Sequence, residues 1–189
     1  MCGVLGLMSH GPVNQELYDG LQMLQHRGQD AAGIFTTDGQ IFYTHKGQGL
    51  VRDVFRTRNM RDLLGHFGIA HVRYPTAGSR QSETSEETQP FYVNSPFGIA
   101  LAHNGNLVNV PTLIKNIITQ DLRHINTSSD SELLLNVFAH ELERQIVQGV
   151  LSTEQIFHSV DAVHNRLKGA YAVEIGRARV GKECRSRWS

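Results

Sequence analysis

Apolar and polar residues recur along this chain with spacings that lay out its elements. The run CGVLGLM, from Cys2, is apolar and β-branched enough for a buried strand. In PVNQELYDGLQMLQHRG, Leu17, Leu21 and Leu24 share one helical stripe, and Gly28 is placed to end the helix. AAGIFTTDGQIFYTHKG reads as two strands around Asp38-Gly39, a dipeptide that supplies a type I′ hairpin turn. VRDVFRTRNMRDLLG predicts one or two short helices. GHFGIAHVRYPTAG predicts a strand running into a loop at Pro75, and the polar SRQSETSEETQP is that loop.

A second hairpin is expected in FYVNSPFGIALAHNGN, turning at Asn94-Ser95-Pro96. Three helices follow. VPTLIKNIITQ is the first, and TSSDSELLLNVFAHELERQ is the second, with Ser129 and Glu132 at capping-box spacing. The third repeats that device with Ser152 and Gln155 and carries Ile156, Val160, Val163 and Leu167 on one stripe. GAYAVEI returns to strand. Hairpins first and paired helices later predict an α+β fold, antiparallel sheets with helical layers outside, and no internal repeat breaks that order.

A length of 189 residues suits one domain with a core of useful size, and 40% apolar with 19% charged residues is ordinary for a globular protein. Lys+Arg and Asp+Glu both number 18, which speaks against nucleic acid or an anionic membrane as partner. The balance is uneven along the chain. From Arg177 onward there are five bases and one acid, so the preceding residues, with 13 bases against 17 acids, are net −4. Cys2 and Cys184 lie at opposite ends without a C-x-x-C pair, which excludes a disulfide framework or a structural zinc site. The apolar run after Met1 lacks the basic lead-in of a signal peptide, and no span has transmembrane length. A reducing, cytoplasmic setting is expected, in which Cys2 stays a thiol.

Four places offer chemistry, each with a plainer alternative. Removal of Met1 would give Cys2 both a thiol and a free α-amine, a nucleophile with its own base of ordinary pKa about 8, whereas plain strand packing is the other reading. Arg73 in HVRYPTAG has the forked donors that hold a carboxylate, or it is a surface arginine beside a loop. Asn104-Gly105, following a strand, is a simple turn or an oxyanion site built from a side-chain amide and the next backbone N–H. Asp130 caps a helix start or binds a substrate ammonium. The histidines show no H-x-x-x-H or H-E-x-x-H spacing, so His71 and His103 read as buried hydrogen-bonding residues and no metal site is expected.

Taken in order, Cys2, LQHRGQDAAGI, HVRYPTAG, AHNGNL, SDSE and GAYAV closely resemble the class II glutamine amidotransferases, and among them the amidophosphoribosyltransferase branch. The resemblance runs from Cys2 to about Val173. It implies the N-terminal nucleophile hydrolase fold, an αββα four-layer sandwich of two antiparallel sheets, incomplete here at its C-terminal end. It implies that Cys2 attacks the side-chain amide of L-glutamine after loss of Met1, with Asn104 and the Gly105 N–H holding the oxyanion. Arg73 would take the substrate carboxylate and Asp130 its ammonium, with Tyr74 and Thr76 nearby and Arg27 and Gly28 supporting the loop over Cys2. No cofactor is implied for this chain. Magnesium belongs to the phosphoribosyltransferase domain of full-length, homo-oligomeric relatives, which accepts the ammonia in purine biosynthesis. The expected organisation is a partial amidotransferase domain over 2–175 and a basic tail over 176–189, read as a shifted reading frame or an artefact. A hexosamine-forming enzyme of the same class is an alternative, opposed by HVRYPTAG, which lacks that enzyme's tryptophan. An inactive truncated fragment, or a non-catalytic interaction module, is the other.

Overall fold

The computed structural model describes residues 2–74 and 86–177. In chain order it contains β1 (Gly3–Met8), α1 (Asn14–Leu24), a 3₁₀ turn (Gln25–Arg27), β2 (Ala31–Thr37) and β3 (Phe42–Gln48). Two short helices follow, α2 (Val51–Val54) and α3 (Thr57–Asp62), and then β4 (Phe67–Arg73), β5 (Phe91–Val93) and β6 (Ile99–Leu107). The remainder is α4 (Val110–Thr119), α5 (Asp130–Gln145), α6 (Thr153–Arg166) and β7 (Gly169–Arg177). The strands form two antiparallel sheets, ordered β1-β4-β2-β3 and β5-β6-β7.

The strand period of two assigns each residue to a layer. In β6, Ile99 and Leu101 face α4, α5 and α6, in a core with Leu113, Ile117, Leu134 and Phe138. Their neighbours Ala100 and Ala102 face the other sheet and meet Phe35 and Ile69. Alanines on that side let the two sheets approach closely around the larger rings. On the far side of the first sheet, Ile34, Ala70 and Val72 pack against Leu17 and Leu21 of α1 and Val51 of α2. The layers are therefore helix, sheet, sheet, helix, the αββα order expected from the resemblance.

Local chemistry departs from expectation at several points. The β2–β3 connection spans residues 38–41 rather than two residues, with φ +97° at Gly39. The Asp38 carboxylate accepts from the N–H groups of Gln40 and Ile41, each at 2.9 Å, so a side chain closes a longer loop. Gly28 does not end α1. The 3₁₀ turn intervenes, and Gly28 is extended at φ −162°. The capping box is present at α6, where Ser152 and Gln155 bond reciprocally, but not at α5. There Ser129 caps through Ser131 N–H, while Glu132 turns away to accept four bonds from Asn126 and Thr127. β7 continues through Gly176 and Arg177, into the segment set apart by its charge, and the Arg177 guanidinium lies 5.1 Å from the Phe97 ring centroid.

A buried polar link crosses between the sheets. His71 on β4 is fully buried, and its Nε2–H donates to the His103 carbonyl on β6 at 3.2 Å. Burial, opposed only partly by that bond, pushes its pKa from 6.5 down to about 3. Between those values the unfolded chain binds the proton and the folded chain does not, so folding stability declines as pH falls through that window. Thermal melts from pH 7 to pH 4 should show a falling midpoint, and His71→Asn should flatten part of the slope. Identical slopes in both chains would contradict this origin.

Candidate active site

The antiparallel register of β1 with β4 builds the centre of the site. Gly3 pairs with Val72, so the residue before Gly3 arrives beside the end of β4. The Cys2 Sγ accepts the Tyr74 N–H at 3.5 Å, and Arg27 Nε donates to the Cys2 carbonyl at 3.0 Å. Gly28 completes this corner by close approach. A Cβ there would sit 2.6 Å from the Arg73 carbonyl oxygen, so a larger residue would push away the backbone that meets Cys2.

Arg73, the last residue of β4, is buried and ion-paired on both edges of its guanidinium. Nη1 donates to Asp30 at 2.9 Å and Nη2 to Glu87 at 2.5 Å. The second Glu87 oxygen accepts from the Ser128 hydroxyl at 2.9 Å. Asp130 opens α5, and its Oδ2 accepts the Leu107 N–H at 3.0 Å while Oδ1 lies 3.6 Å from His103 Nδ1. Behind it, Gln89 accepts the His103 N–H at 2.6 Å, which leaves its amide nitrogen to donate to Ser131 Oγ at 3.0 Å. Ser131 Oγ also lies 2.8 Å from His103 Nδ1. Burial lowers the His103 pKa, and nearby Asp130 offsets this only in part, so a neutral imidazole backs the carboxylate.

These groups surround a cleft of about 370 Å³ whose lining includes Cys2, Arg73, Glu87, Gly105, Ser128 and Asp130. A second cavity of about 520 Å³ is lined by Cys2, Tyr74, Asn104, Gly105, Asn106 and Tyr171. Cys2, Tyr74, Gly105 and Asn106 border both. The strand β6 explains the division. Asn104 and Gly105 do not follow a strand, as expected from the sequence, but lie within β6. His103 points toward α5, so by alternation Asn104 points toward the other sheet, on the side of Ala102 and Cys2. Backbone groups alternate too. His103 N–H and Leu107 N–H both project from the edge of β6 beyond the reach of β5, to Gln89 and Asp130. Gly105, midway between them, therefore directs its own N–H from that edge toward the cleft.

The structure thus gathers Cys2, Arg73, Tyr74, Gly105 and Asp130 at one cleft, with Asn104 at the adjoining cavity and Arg27 and Gly28 behind Cys2. Thr76 and Cys184 lie outside the described residues. Sequence reasoning missed Glu87, Gln89, Ser128 and Ser131. A buried arginine demands counter-charges, and that demand was the one signal pointing toward Glu87, 14 residues away in a polar run. Among the described residues, no cluster of three or more His, Cys, Asp or Glu could hold a metal, and no helix is long and apolar enough to cross a membrane.

The glutamine amidotransferase domain family matches residues 78–183. The chain is 59% identical over 174 residues to amidophosphoribosyltransferase of Pseudomonas aeruginosa, covering 92% of this chain and 34% of that protein. It is 53% identical over 173 residues to the Escherichia coli enzyme of the same name, covering 91% and 34%. A solved structure described as the allosteric regulatory enzyme of purine biosynthesis superposes with TM-score 0.77 at 38% identity, over 94% of this chain and 36% of that one. The chain therefore spans about a third of the length of the relatives it matches.

Proposed function

Because this chain belongs to the glutamine amidotransferase domain family, we propose that it is the glutamine-hydrolysing part of an amidophosphoribosyltransferase. Three features sharing one cleft carry this reading: the Cys2 sulfur, the buried Arg73 cation and the Asp130 carboxylate. Glutamine is a zwitterion with a reactive amide at its far end, and it needs a fixed cation, a fixed anion and a nucleophile within one molecule's length.

With Met1 removed, the Cys2 α-amine takes the thiol proton, directly or through a water, as sulfur attacks the amide carbon. The carbonyl π pair moves onto oxygen, where the Gly105 N–H and the Asn104 side-chain amide donate to it. Collapse of the intermediate expels the amide nitrogen, which takes the proton from the α-amine and departs as ammonia. Water then adds to the γ-glutamyl thioester, and the products are glutamate and the free thiol. Arg73 holds the substrate carboxylate and Asp130 its ammonium. The ammonia acceptor is a phosphoribosyltransferase partner domain of the kind carried by full-length relatives, and that domain, not this chain, is where magnesium would act.

Incubation of the Met1-processed chain with L-glutamine tests the proposal. Glutamate and ammonia should appear in equal amounts. A folded, processed chain that releases neither would refute it.

A further inference from the structure

Arg73 presents a difficulty for any carboxylate-bearing substrate. Its two counter-ions are not equivalent. Asp30 does not line the reaction cleft but borders another cavity, with His26, Gln29 and Tyr74, and holds Nη1. Glu87 borders the reaction cleft itself and holds Nη2. Within the cleft, Arg73 is thus already paired with a carboxylate, and a substrate carboxylate seeking the same guanidinium would have to compete with it.

Resting on the amidotransferase reading above, we propose that Glu87 is a specificity-determining residue, an internal stand-in for the substrate carboxylate that only a zwitterionic ligand displaces at low cost. Binding is then an exchange of ion pairs. The substrate carboxylate takes Nη2 of Arg73, and Glu87 is left with its bond to the Ser128 hydroxyl, 2.9 Å away in the ligand-free arrangement. A freed carboxylate in a cleft that already contains Asp130 is poorly solvated, and it needs a positive partner. The ammonium of an α-amino acid provides one, because Glu87, Ser128 and Asp130 line the same cleft. A ligand with the carboxylate and the amide but no ammonium leaves both acids uncompensated. Asp30 keeps Arg73 in place throughout, so the guanidinium itself need not move.

Calorimetric titration of the 189-residue chain in a Cys2→Ala background, which stops turnover, tests the exchange with two ligands. L-glutamine carries the ammonium and glutaramate, its des-amino analogue, does not. Glu87→Gln should tighten glutaramate binding by about tenfold, the scale of one charged contact, and narrow the preference for glutamine. Unchanged or weaker glutaramate binding would overturn the proposal, since a residue that merely braces Arg73 predicts weaker binding of both ligands. Asp130→Asn gives the contrasting control: it weakens glutamine, and it helps glutaramate less than Glu87→Gln does, because Asp130 does not compete for Arg73. Should Glu87→Gln fail to fold, Ser128→Ala decides. It removes the one bond left to the displaced carboxylate and should weaken glutaramate, which brings no ammonium to replace it, more than glutamine, and equal or absent losses would overturn the proposal. Glutamate release by the unsubstituted chain is a separate readout, so loss of that reading and loss of the exchange are distinguishable.

Discussion

The Cys2→Ser chain is expected to release no measurable glutamate while still binding glutamine. The loss in kcat should be on the order of 10³-fold or more, the scale seen when a covalent catalyst loses its nucleophile. The reason lies in the match between nucleophile and base. An α-amine of ordinary pKa about 8 can draw a proton from a thiol at neutral pH, but not effectively from an alcohol, which is far less acidic. The fold offers sulfur little further help. Its one hydrogen bond among the described residues is the long Tyr74 N–H contact at 3.5 Å, and no histidine borders it as a second base within hydrogen-bond reach. Arg73, Glu87 and Asp130, which would hold the substrate, are untouched by the change, so calorimetric affinity for glutamine should stay within a few fold. Acid quenching of the unsubstituted reaction followed by intact mass should show the γ-glutamyl adduct, absent from the serine chain. A serine chain that hydrolysed glutamine at the original rate would place the chemistry elsewhere.

Much of the fold was legible because the strands and helices carry clean periodicity. Ile99 and Leu101 alternate with Ala100 and Ala102, and those pairs belong to different cores. Leu17 and Leu21 share a helical stripe that packs on the first sheet. Turn and cap chemistry was less legible, since it depends on which competing partner a polar side chain finds. Asp38 found two backbone N–H groups and lengthened a hairpin loop, and Glu132 found the Asn126–Thr127 backbone instead of its own helix cap. Both are local alternatives of similar energy, and tertiary packing selects between them.

The site divides in the same way. Cys2, Arg73 and Asp130 stand out in sequence because each is a chemically capable residue at a strand or helix end, and Asn104-Gly105 because the dipeptide interrupts an apolar run, although it lies within β6. Glu87, Gln89 and Ser131 carry no such mark, and only the meeting of β4, β6 and α5 turns them into partners of Arg73 and His103. Long-range ion pairs of this kind leave no periodic trace in the chain. Their necessity can be reasoned from burial, since an arginine with 7% side-chain exposure must be compensated, but the identity of the acid cannot.

Asn104→Ala should lower kcat by about 10²–10³-fold while leaving glutamine affinity nearly unchanged, because one oxyanion donor is removed and no ground-state charge contact is lost. The geometry separates these two effects. Arg73, Glu87 and Asp130 line the cleft of about 370 Å³, while Asn104 lines the adjoining cavity, which Cys2 also borders. Alternation along β6 sends His103 toward α5 and Asn104 toward the other sheet, so truncating Asn104 leaves the His103–Ser131–Gln89 bonds behind Asp130 intact. Asn104 is also only partly buried, which limits the packing cost of alanine. The Gly105 N–H remains as the second donor, so a residual rate should persist, distinguishing this variant from Cys2→Ser. Steady-state kinetics on the processed chain, with melting temperature as a check on folding, would give the division between kcat and KM. A defect confined to KM would mean that Asn104 contacts the bound substrate rather than the charge that develops on it, and the oxyanion role would then rest on Gly105 alone.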